Sequence, residues 1–330
     1  MRNRKFTFLD EIQDLYISIY LIGYEVEGES CIFILHTKVP EKKILYSIVI
    51  DCYENTESNC TIDILEKLEL KNKLDMLIWT HPHDDHTIGL NKIIKRYCDK
   101  NTKIITSNIL NHPNGYSDIC IELANQINSK CYNKSKNRWN VNSAANLGYG
   151  LQTIEFTNAS GLINNMKIKC ISPVSEIGLV QGLNKKVDLN KISIGIIIQI
   201  ERNENRLNFM FTGDMDKQTI AAIVNEQEDE EIPFVYNLIK LPHHGSTYSS
   251  NLVNLLRKES RSELAVTTVF KKDSLPTKDA IDIYKDYFED IRCTSSPFDR
   301  LWGTGMIKVE YDIGLEKSEV NTYGTANKIC

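Results

Sequence analysis

The strongest structural signal in this chain is an apolar run that passes directly into a cluster of histidines. LDMLIWT, residues 74–80, predicts a buried β-strand, and the next six residues read HPHDDH. His81 and His83 are two positions apart at the end of this strand, so their side chains can converge on one side. Neutral imidazole and carboxylate are the ligands that borderline divalent metals, zinc above all, accept in proteins. The segment therefore predicts a metal-binding loop at the carboxyl end of a strand.

The same loop holds enough ligands for more than one ion. Asp85 and His86 lie just beyond His83, where the chain turns toward a helix predicted from Gly89. Asp84 takes the spacer position and is expected to point away. Four ligands on one short loop can serve two adjacent ions, provided that further ligands arrive from elsewhere in the chain.

Two later segments supply such groups, also at predicted strand ends. FTGDMD places Asp214 after a glycine, where its carboxylate could bridge two ions. KLPHHGSTYSS places His243 and His244 before a glycine, several hydroxyl residues and a helix. Together with the first loop, these segments use five of the seven histidines.

The rest of the chain alternates strand patterns with helical ones. Paired strand patterns dominate residues 14–51 and 166–214, and the last strand is predicted at MIKVEYD, 306–312. Two strand-dense halves with helices predict an α/β fold, a four-layer αββα sandwich of two mixed β-sheets. A doubly wound parallel sheet is the rival, but the hairpins fit it less well. We interpret residues 1–330 as a single domain, with a lid or insertion at the polar stretch 131–150.

At its three motifs the sequence resembles the metallo-β-lactamase-fold hydrolases. HPHDDH matches the metal loop of that family, TGD its bridging aspartate and HHGS a late metal ligand. LPHHGS preceded by TGD is most similar to the hydrolase domain of ComEC-like, competence-type proteins and their free-standing relatives. These motifs are specific for fold and metal, and much less so for substrate.

The resemblance implies a set of metal ligands. His81 and His83 would hold one ion, Asp85 and His86 would hold a second, and Asp214 would bridge the two. The implied cofactor is Zn²⁺, as one or two ions, with Mn²⁺ as the alternative.

The resemblance also implies a ligand from the histidine pair, and it leaves open which member binds. His243 would complete the second ion's site. The alternation of Ile239, Leu241 and His243 along a strand places Lys240 and His244 on the other face, which favours His243.

One departure from the family pattern affects the first ion. The wider family normally has a further histidine between the first motif and the aspartate, and His112 is the only candidate here. Because ComEC-like members often lack this ligand, the first ion would be held weakly or with water completing its coordination.

These residues imply a metal-dependent hydrolase that uses a metal-bound hydroxide, since a divalent ion lowers the pKa of bound water toward about 7. Asp85, besides binding metal, is placed to orient the nucleophile and take its proton. His244, Ser246 or Tyr248 could contact the substrate and steady its developing negative charge. The backbone N–H groups of Gly245, Ser246 and Thr247, at the start of a helix predicted over 249–258, could equally form an anion site or a plain helix cap.

The ComEC-like motifs favour a phosphodiesterase or nuclease that acts on nucleic acid or a (cyclic) nucleotide. The net charge of −5 excludes a global basic field and favours a small or single-stranded anionic substrate. A lactone, amide or ester hydrolase is the second enzymatic interpretation. A third interpretation is an effector protein whose metal site acts only together with a regulatory protein partner. Residues 131–150 would be the surface that this partner binds. The oligomeric state is left open.

Cysteine usage and hydropathy indicate the compartment. Nine cysteines form no C-x-x-C pair, which is typical of reduced thiols in a cytosolic protein. The N-terminus lacks the pattern of a signal peptide, and the longest apolar run, SIGIIIQI, is too short to span a bilayer. We expect a cytoplasmic protein without a membrane partner.

Overall fold

In a computed structural model of the protein, the structure describes residues 4–8, 14–38, 41–107, 115–131, 139–144, 147–157, 163–175, 177, 181, 187–202, 205–226, 232–299 and 302–330. Within these ranges no helix is long and apolar enough to cross a lipid bilayer. The strands of the described ranges are β1 (Arg4–Phe8), β2 (Leu15–Gly23), β3 (Glu29–Thr37), β4 (Ile44–Ile50), β5 (Met76–Trp79), β6 (Lys103–Ser107), β7 (Asn140–Ala144), β8 (Gly150–Thr157), β9 (Ile163–Ser172), β10 (Gly195–Arg202), β11 (Asn205–Phe211), β12 (Leu238–Lys240), β13 (Ser262–Thr267), β14 (Phe288–Cys293), β15 (Gly305–Asp312), β16 (Lys317–Gly324) and β17 (Asn327–Lys328).

These strands form two mixed sheets. One has the order β1-β8-β9-β10-β11-β12-β13-β14-β17, and the other has the order β16-β15-β2-β3-β4-β5-β6-β7. Strands joined by short turns pair antiparallel, as β2 does with β3 and β10 with β11. Strands joined by longer connections pair parallel, as from β4 to β6 and from β11 to β14.

Strand β3 shows how the layers form. All nine of its residues are buried, because successive side chains of a central strand face two different cores. Phe33 and Leu35 point into the core between the sheets, whereas Ile32 and Ile34 point into a second core under helices. The ring of Phe33 lies 6.0 Å from that of Phe209 in the other sheet. The two sheets therefore pack face to face.

Helices cover both outer faces. In chain order the α-helices are α1 (Cys60–Lys67), α2 (Asp84–Thr87), α3 (Leu90–Tyr97), α4 (Asp118–Cys131), α5 (Lys217–Glu226) and α6 (Lys278–Tyr284). Helices α1, α3 and α4 pack on the eight-stranded sheet, through Leu65, Ile93 and Leu123. Helices α5 and α6 pack on the nine-stranded sheet, through Ile220 and Ile281. The predicted four-layer αββα sandwich of two mixed sheets is confirmed.

Short 3₁₀ helices complete the described elements, at Leu189–Ile192, His243–Gly245, Thr247–Leu255, Lys271–Asp273 and Pro297–Asp299. The predicted helix at 249–258 is thus a 3₁₀ helix that begins at Thr247. MIKVEYD is not the last strand, since β16 and β17 follow it. Strand β16 escaped the sequence analysis because it is a mostly exposed edge strand with little apolar alternation.

Part of the stretch 131–150 belongs to regular secondary structure. Helix α4 reaches Cys131, and Asn140–Ala144 forms β7, which pairs parallel with β6 at the edge of its sheet. Its polar composition fits an edge strand, because only one of its five residues is buried. Residues 132–138 and 145–146 lie outside the described ranges.

Candidate metal centre

The predicted ligand loops meet at one edge of the sandwich. In one sheet β5 runs into the HPHDDH loop, and in the other β11 and β12 run into Asp214 and His244. Nε2 of His86 lies 3.4 Å from Oδ1 of Asp214, and Nε2 of His81 lies 4.0 Å from Oδ2 of the same residue. Nε2 of His244 lies 3.2 Å from Oδ2 of Asp85. The fold thus joins segments that are far apart in the sequence.

Asp214 is held by its own turn. Gly213 has a φ of 52°, and a Cβ built on it would lie 2.4 Å from Oγ of Ser193. Only glycine fits such a position without strain. The close approach lets Oγ of Ser193 accept a hydrogen bond from the backbone N–H of Asp214 at 2.8 Å. The glycine of the TGD motif therefore aims the carboxylate at the histidines.

The donor set fits a cation. Nε2 of His86 and Oδ1 of Asp214 are both fully buried and have no hydrogen-bond partner among the described residues. Buried polar atoms of this kind normally have a hydrogen-bond partner, and a bound metal ion would satisfy both of these atoms. Oδ2 of Asp85 lies between two imidazoles, 3.5 Å from Nε2 of His86 and 3.2 Å from Nε2 of His244. Imidazole nitrogen and carboxylate oxygen in this arrangement suit a borderline divalent metal.

His83 lies at the outer side of this cluster. Its Nδ1 is 3.0 Å from Nε2 of His81. The side chain is half-buried and lines a cavity of about 450 Å³ together with Gly115, Val187 and Leu189. His83 therefore connects the buried ligands with a space that a substrate could enter.

The histidine pair after β12 departs from the strand alternation. The strand ends at Lys240, and His243 and His244 both have left-handed backbone conformations, with φ of 48° and 51°. His244 is consequently the buried member that reaches the carboxylates, whereas His243 is half-buried and its ring lies 6.4 Å from that of His244. The geometry favours His244 over the predicted His243, because the alternation used for the prediction stops three residues too early.

Asp51 orients His86 from behind. Its carboxylate accepts hydrogen bonds from N and Oγ1 of Thr80, at 2.7 and 2.5 Å, and lies 2.7 Å from Nδ1 of His86. A carboxylate on one ring nitrogen fixes the tautomer and leaves the other nitrogen free to bind a metal. Asp51 and Thr80 were not among the predicted site residues, although Asp51 follows an apolar strand in the sequence.

Glu29 and Lys240 form a buried ion pair beside the cluster. Nζ of Lys240 lies 2.6 Å from Oε1 of Glu29, donates to the carbonyl oxygen of Gly213 at 2.8 Å and lies 3.5 Å from Oδ1 of Asp214. Oε2 of Glu29 accepts a hydrogen bond from Thr268 at 2.7 Å.

The carboxylate of Glu29 is close to two histidines, but on the side away from the cluster. It lies 3.7 Å from Nδ1 of His86 and 3.5 Å from Nδ1 of His244, whereas both Nε2 atoms face Asp85 and Asp214. Glu29 could be counted with His86, Asp214 and His244 as a metal ligand on distance alone. Its contacts with Lys240 and Thr268, and its position on the Nδ1 side of both histidines, indicate a supporting role instead.

The charges of the centre influence one another strongly. Burial alone would lower the pKa of His86, but the carboxylates around it, with Asp85 and Asp214 foremost, raise that pKa well above its ordinary value. Burial lowers the pKa of His81 well below its ordinary value, and His86 adds to the effect. Burial opposes ionisation of Asp214, yet His86, His244 and Lys240 hold its pKa well below the usual range. The carboxylate of Asp214 is therefore ionised, and the neighbouring imidazole of His81 is neutral.

The other predicted site residues lie nearby with different roles. Oγ of Ser246 accepts a hydrogen bond from the backbone N–H of Tyr248 and caps the helix Thr247–Leu255, while the Tyr248 side chain is 76% exposed. Asp84 points away, as expected, and accepts a hydrogen bond from Ser117. His112 lies outside the described residues. Among the described residues, neither the Ser246 nor the Tyr248 side chain forms a hydrogen bond with the histidine–carboxylate cluster.

Comparisons with known proteins add structural neighbours only. No protein-family model and no curated protein matches the chain. The metallo-β-lactamase fold protein YhfI from Bacillus subtilis aligns with a TM-score of 0.40 and 13% identity, over 89% of this chain and 99% of that one. A long form RNase Z from yeast aligns with a TM-score of 0.38 and 10% identity, over 76% of this chain and 37% of that one. A metallo-β-lactamase from Hirschia baltica aligns with a TM-score of 0.32 and 15% identity, over 72% of this chain and 91% of that one.

Proposed function

We propose that this protein is a metal-dependent hydrolase. The observation that carries the proposal is the pair of buried atoms without hydrogen-bond partners, Nε2 of His86 and Oδ1 of Asp214, which face each other at 3.4 Å. Two further imidazoles and a second carboxylate surround them, from His81, His244 and Asp85. A protein core tolerates such a group of polar atoms when a ligand satisfies them.

The residues that would hold the metal are those of the predicted set with one exchange. His81 and His83 would serve one ion, Asp85, His86 and His244 the other, and Asp214 both. His244 takes the place that the sequence analysis gave to His243, because it is the imidazole in contact with Asp85. Zinc suits these nitrogen and carboxylate ligands best, and manganese is the second choice.

A divalent cation bound here supplies Lewis-acid chemistry, in that it lowers the pKa of water and withdraws charge from a substrate oxygen. Asp85 is the carboxylate of the centre that a proton from the nucleophile can reach most easily. It is 8% exposed, compared with 2% for Asp214 and 1% for Asp51. Asp85 therefore orients the attacking water and accepts its proton. Lys240 is 1% exposed and contacts Asp214, so it fixes that carboxylate and does not touch the substrate.

The phosphodiester bond is the substrate that we favour. The cavity beside His83 gives an approach to the ligands, and its lining combines Asp188 with the apolar Val187 and Leu189. The support for a phosphodiester comes from the motifs, since LPHHGS preceded by TGD resembles ComEC-like hydrolases. A small or single-stranded nucleic acid, or a cyclic nucleotide, fits the acidic net charge of the chain.

Metal analysis and a paired substrate panel test this proposal. Purified protein is expected to contain zinc or manganese and to hydrolyse bis-p-nitrophenyl phosphate more efficiently than a panel of lactones and esters. Asp214→Asn should lower kcat/KM by at least about 100-fold, a loss typical of a missing metal or transition-state contact. Asp282→Asn removes a carboxylate that only pairs with Lys285 on the surface, and it should leave the rate unchanged.

The other possible outcomes of these measurements contradict different parts of the proposal. Protein that binds no divalent metal, or an Asp214→Asn variant as active as Asp282→Asn, contradicts the hydrolase proposal. Turnover of lactones without phosphodiesters contradicts the substrate only. Bound metal with no turnover of either class indicates the effector that needs a partner protein.

A further inference from the structure

A lysine-rich groove lies at the end of the sandwich opposite the metal centre. Strand β4 begins at Ile44, beside this groove, and its other end leads into Asp51. Strand β5 likewise follows Asp75 at the groove and leads into the HPHDDH loop at the far end. Strand β4, with seven residues, spans roughly 20 Å from Ile44 to Ile50. The groove is therefore separate from the hydrolytic site.

Two adjoining cavities form the groove. One has a volume of about 420 Å³ and is lined by Lys42, Lys43, Lys67 and Lys73. The other has a volume of about 460 Å³ and is lined by Lys5 and Lys103. Asp75 lines both and marks the place where they meet. We call the space lined by these six lysines the basic groove.

The acidic residues of the basic groove leave most of this charge uncompensated. Only Glu69 and Asp75 line it among the described residues. Asp75 is already engaged, because its Oδ1 lies 3.0 Å from Nζ of Lys5 and its Oδ2 accepts hydrogen bonds from N and Oγ of Ser47. Of the six lysines, Lys5 pairs with Asp75, and the ammonium group of Lys103 donates to the carbonyl oxygen of Leu151. The four lysines of the first cavity carry the remaining charge, with Glu69 as the other carboxylate of the lining.

The four lysines of the first cavity have no ion-pair partner. None of them has a carboxylate within 4.0 Å in the described part of the chain, whereas lysines elsewhere do, such as Lys258 with Asp286 at 2.7 Å. In a chain with a net charge of −5, this groove is a local concentration of positive charge.

The second cavity adds hydrogen-bonding side chains to that charge. The amides of Asn101, Asn140, Asn142 and Gln152 line it, and Lys103 is only 7% exposed. Carboxamides can donate and accept hydrogen bonds at once, as nucleobase edges and sugar hydroxyls require. Lysine ammonium groups bind phosphates as point charges. The two cavities therefore differ in chemistry in a way that matches the two ends of a nucleotide.

We propose that the basic groove is a second ligand site, which binds a phosphate-bearing nucleotide ligand with its phosphates at the lysines and its base and sugar at the amides. Strands β4 to β7 start along this groove and, at about 4.8 Å per strand, span roughly 14 Å. Such a length accommodates one or two nucleotide units. The ligand is either a free nucleotide or a short stretch of single-stranded nucleic acid. Because the groove lies far from the metal centre, binding needs neither metal nor hydrolysis.

The test measures binding in the presence of EDTA, with fluorescence anisotropy of two probes on the full chain. One probe is a fluorescein-labelled deoxythymidine 15-mer, and the other is a fluorescent analogue of ATP. The test variant combines Lys42→Gln, Lys67→Gln and Lys73→Gln. The control variant combines Lys95→Gln, Lys278→Gln and Lys317→Gln, which removes the same charge from exposed positions outside the groove. All replaced residues are exposed, and circular dichroism verifies that each variant folds.

The proposal expects at least one probe to bind the wild-type chain. It also expects the test variant to raise the Kd of that probe at least 10-fold and the control variant to change it less than twofold. For the oligonucleotide, the slope of log K against log salt should fall by about 2, since each lost phosphate contact removes about 0.7. Binding of the ATP analogue alone identifies a free nucleotide as the source, and binding of the 15-mer alone identifies a strand. Absence of binding by both probes, or equal losses in the two variants, overturns the proposal. Neither result affects the test of hydrolysis.

Discussion

Asp51 and His86 are joined by a 2.7 Å contact between Oδ2 and Nδ1, and both side chains are fully buried. The carboxylate of Asp51 accepts a hydrogen bond from Nδ1–H of His86, so that Nε2, which faces Asp214, is the nitrogen that a metal would bind. The orientation of His86, a proposed metal ligand, thus depends on a residue outside the proposed ligand set.

Asp51→Asn should therefore weaken metal binding without unfolding the chain. An amide can turn its NH₂ group toward His86 and favour the wrong tautomer, and loss of such a contact typically lowers metal affinity 10–100-fold. Competition with a chromophoric chelator measures the affinity for zinc. Asp63→Asn on the exposed side of α1 is the matched control. Equal zinc affinity in the two variants would show that Asp51 has no orienting role.

His243→Ala and His244→Ala should separate the two neighbouring histidines. His244 contacts Asp85 at 3.2 Å, whereas the ring of His243 lies 6.4 Å from that of His244. We expect His244→Ala to lose at least half of the bound metal and His243→Ala to retain it. Metal content after dialysis, measured by mass spectrometry, decides between them. The reverse pattern would restore the assignment made from strand alternation.

Lys240→Met should destabilise the chain strongly. Its removal leaves Glu29 and Asp214 buried without their cation, and breaking a buried pair in this way costs about 3–5 kcal/mol. Glu29→Gln together with Lys240→Met removes the pair and should recover a large part of that loss. Urea denaturation of the two single variants and the double variant gives the coupling free energy. Additive losses in the double variant would mean that the pair is not coupled.

Acidification should lower the free energy of unfolding through the buried side chain of His36. This side chain is buried in β3 and lies 2.9 Å from Oγ of Ser18, and burial lowers its pKa from the ordinary value of 6.5. Below pH 6.5 the unfolded chain takes up a proton that the folded chain resists, so the stabilisation present above that pH is lost as the pH falls.

The His36→Gln variant isolates this contribution. Between about pH 7.5 and pH 5.5 the wild type should lose more free energy of unfolding than the variant, because only the wild type carries the buried imidazole. Denaturant titrations with EDTA at both pH values measure the difference, and the shared metal ligands cancel in the comparison. An identical pH dependence in both proteins would contradict the assignment.

The fold and much of the centre could be predicted from local sequence patterns. HPHDDH and TGD follow apolar strands, and the carboxyl ends of β5 in one sheet and β11 in the other meet at one edge of the sandwich. Ligands placed directly after such strands come together wherever the sheets pack face to face. For this reason the distances from Asp214 to His81 and His86 follow from the motifs.

The supporting residues could not be predicted in the same way. Glu29 and Lys240 are far apart in the sequence, and only the packing of β3 against the other sheet brings their charges to 2.6 Å. A lysine in the apolar run before LPHHGS was a usable signal, because a buried ammonium group requires a carboxylate partner. The preference for His243 over His244 rested on strand alternation, and two consecutive left-handed residues, His243 and His244, lie where that alternation was expected to continue.

Anomalous X-ray scattering at the zinc edge, from crystals grown with zinc, tests the central claim most directly. We predict a peak about 2.0–2.2 Å from Nε2 of His86 and from Nε2 of His244, with a carboxylate oxygen of Asp214 or Asp85 in the same shell. A zinc-loaded crystal in which His86 and Asp214 bind no ion would contradict the account.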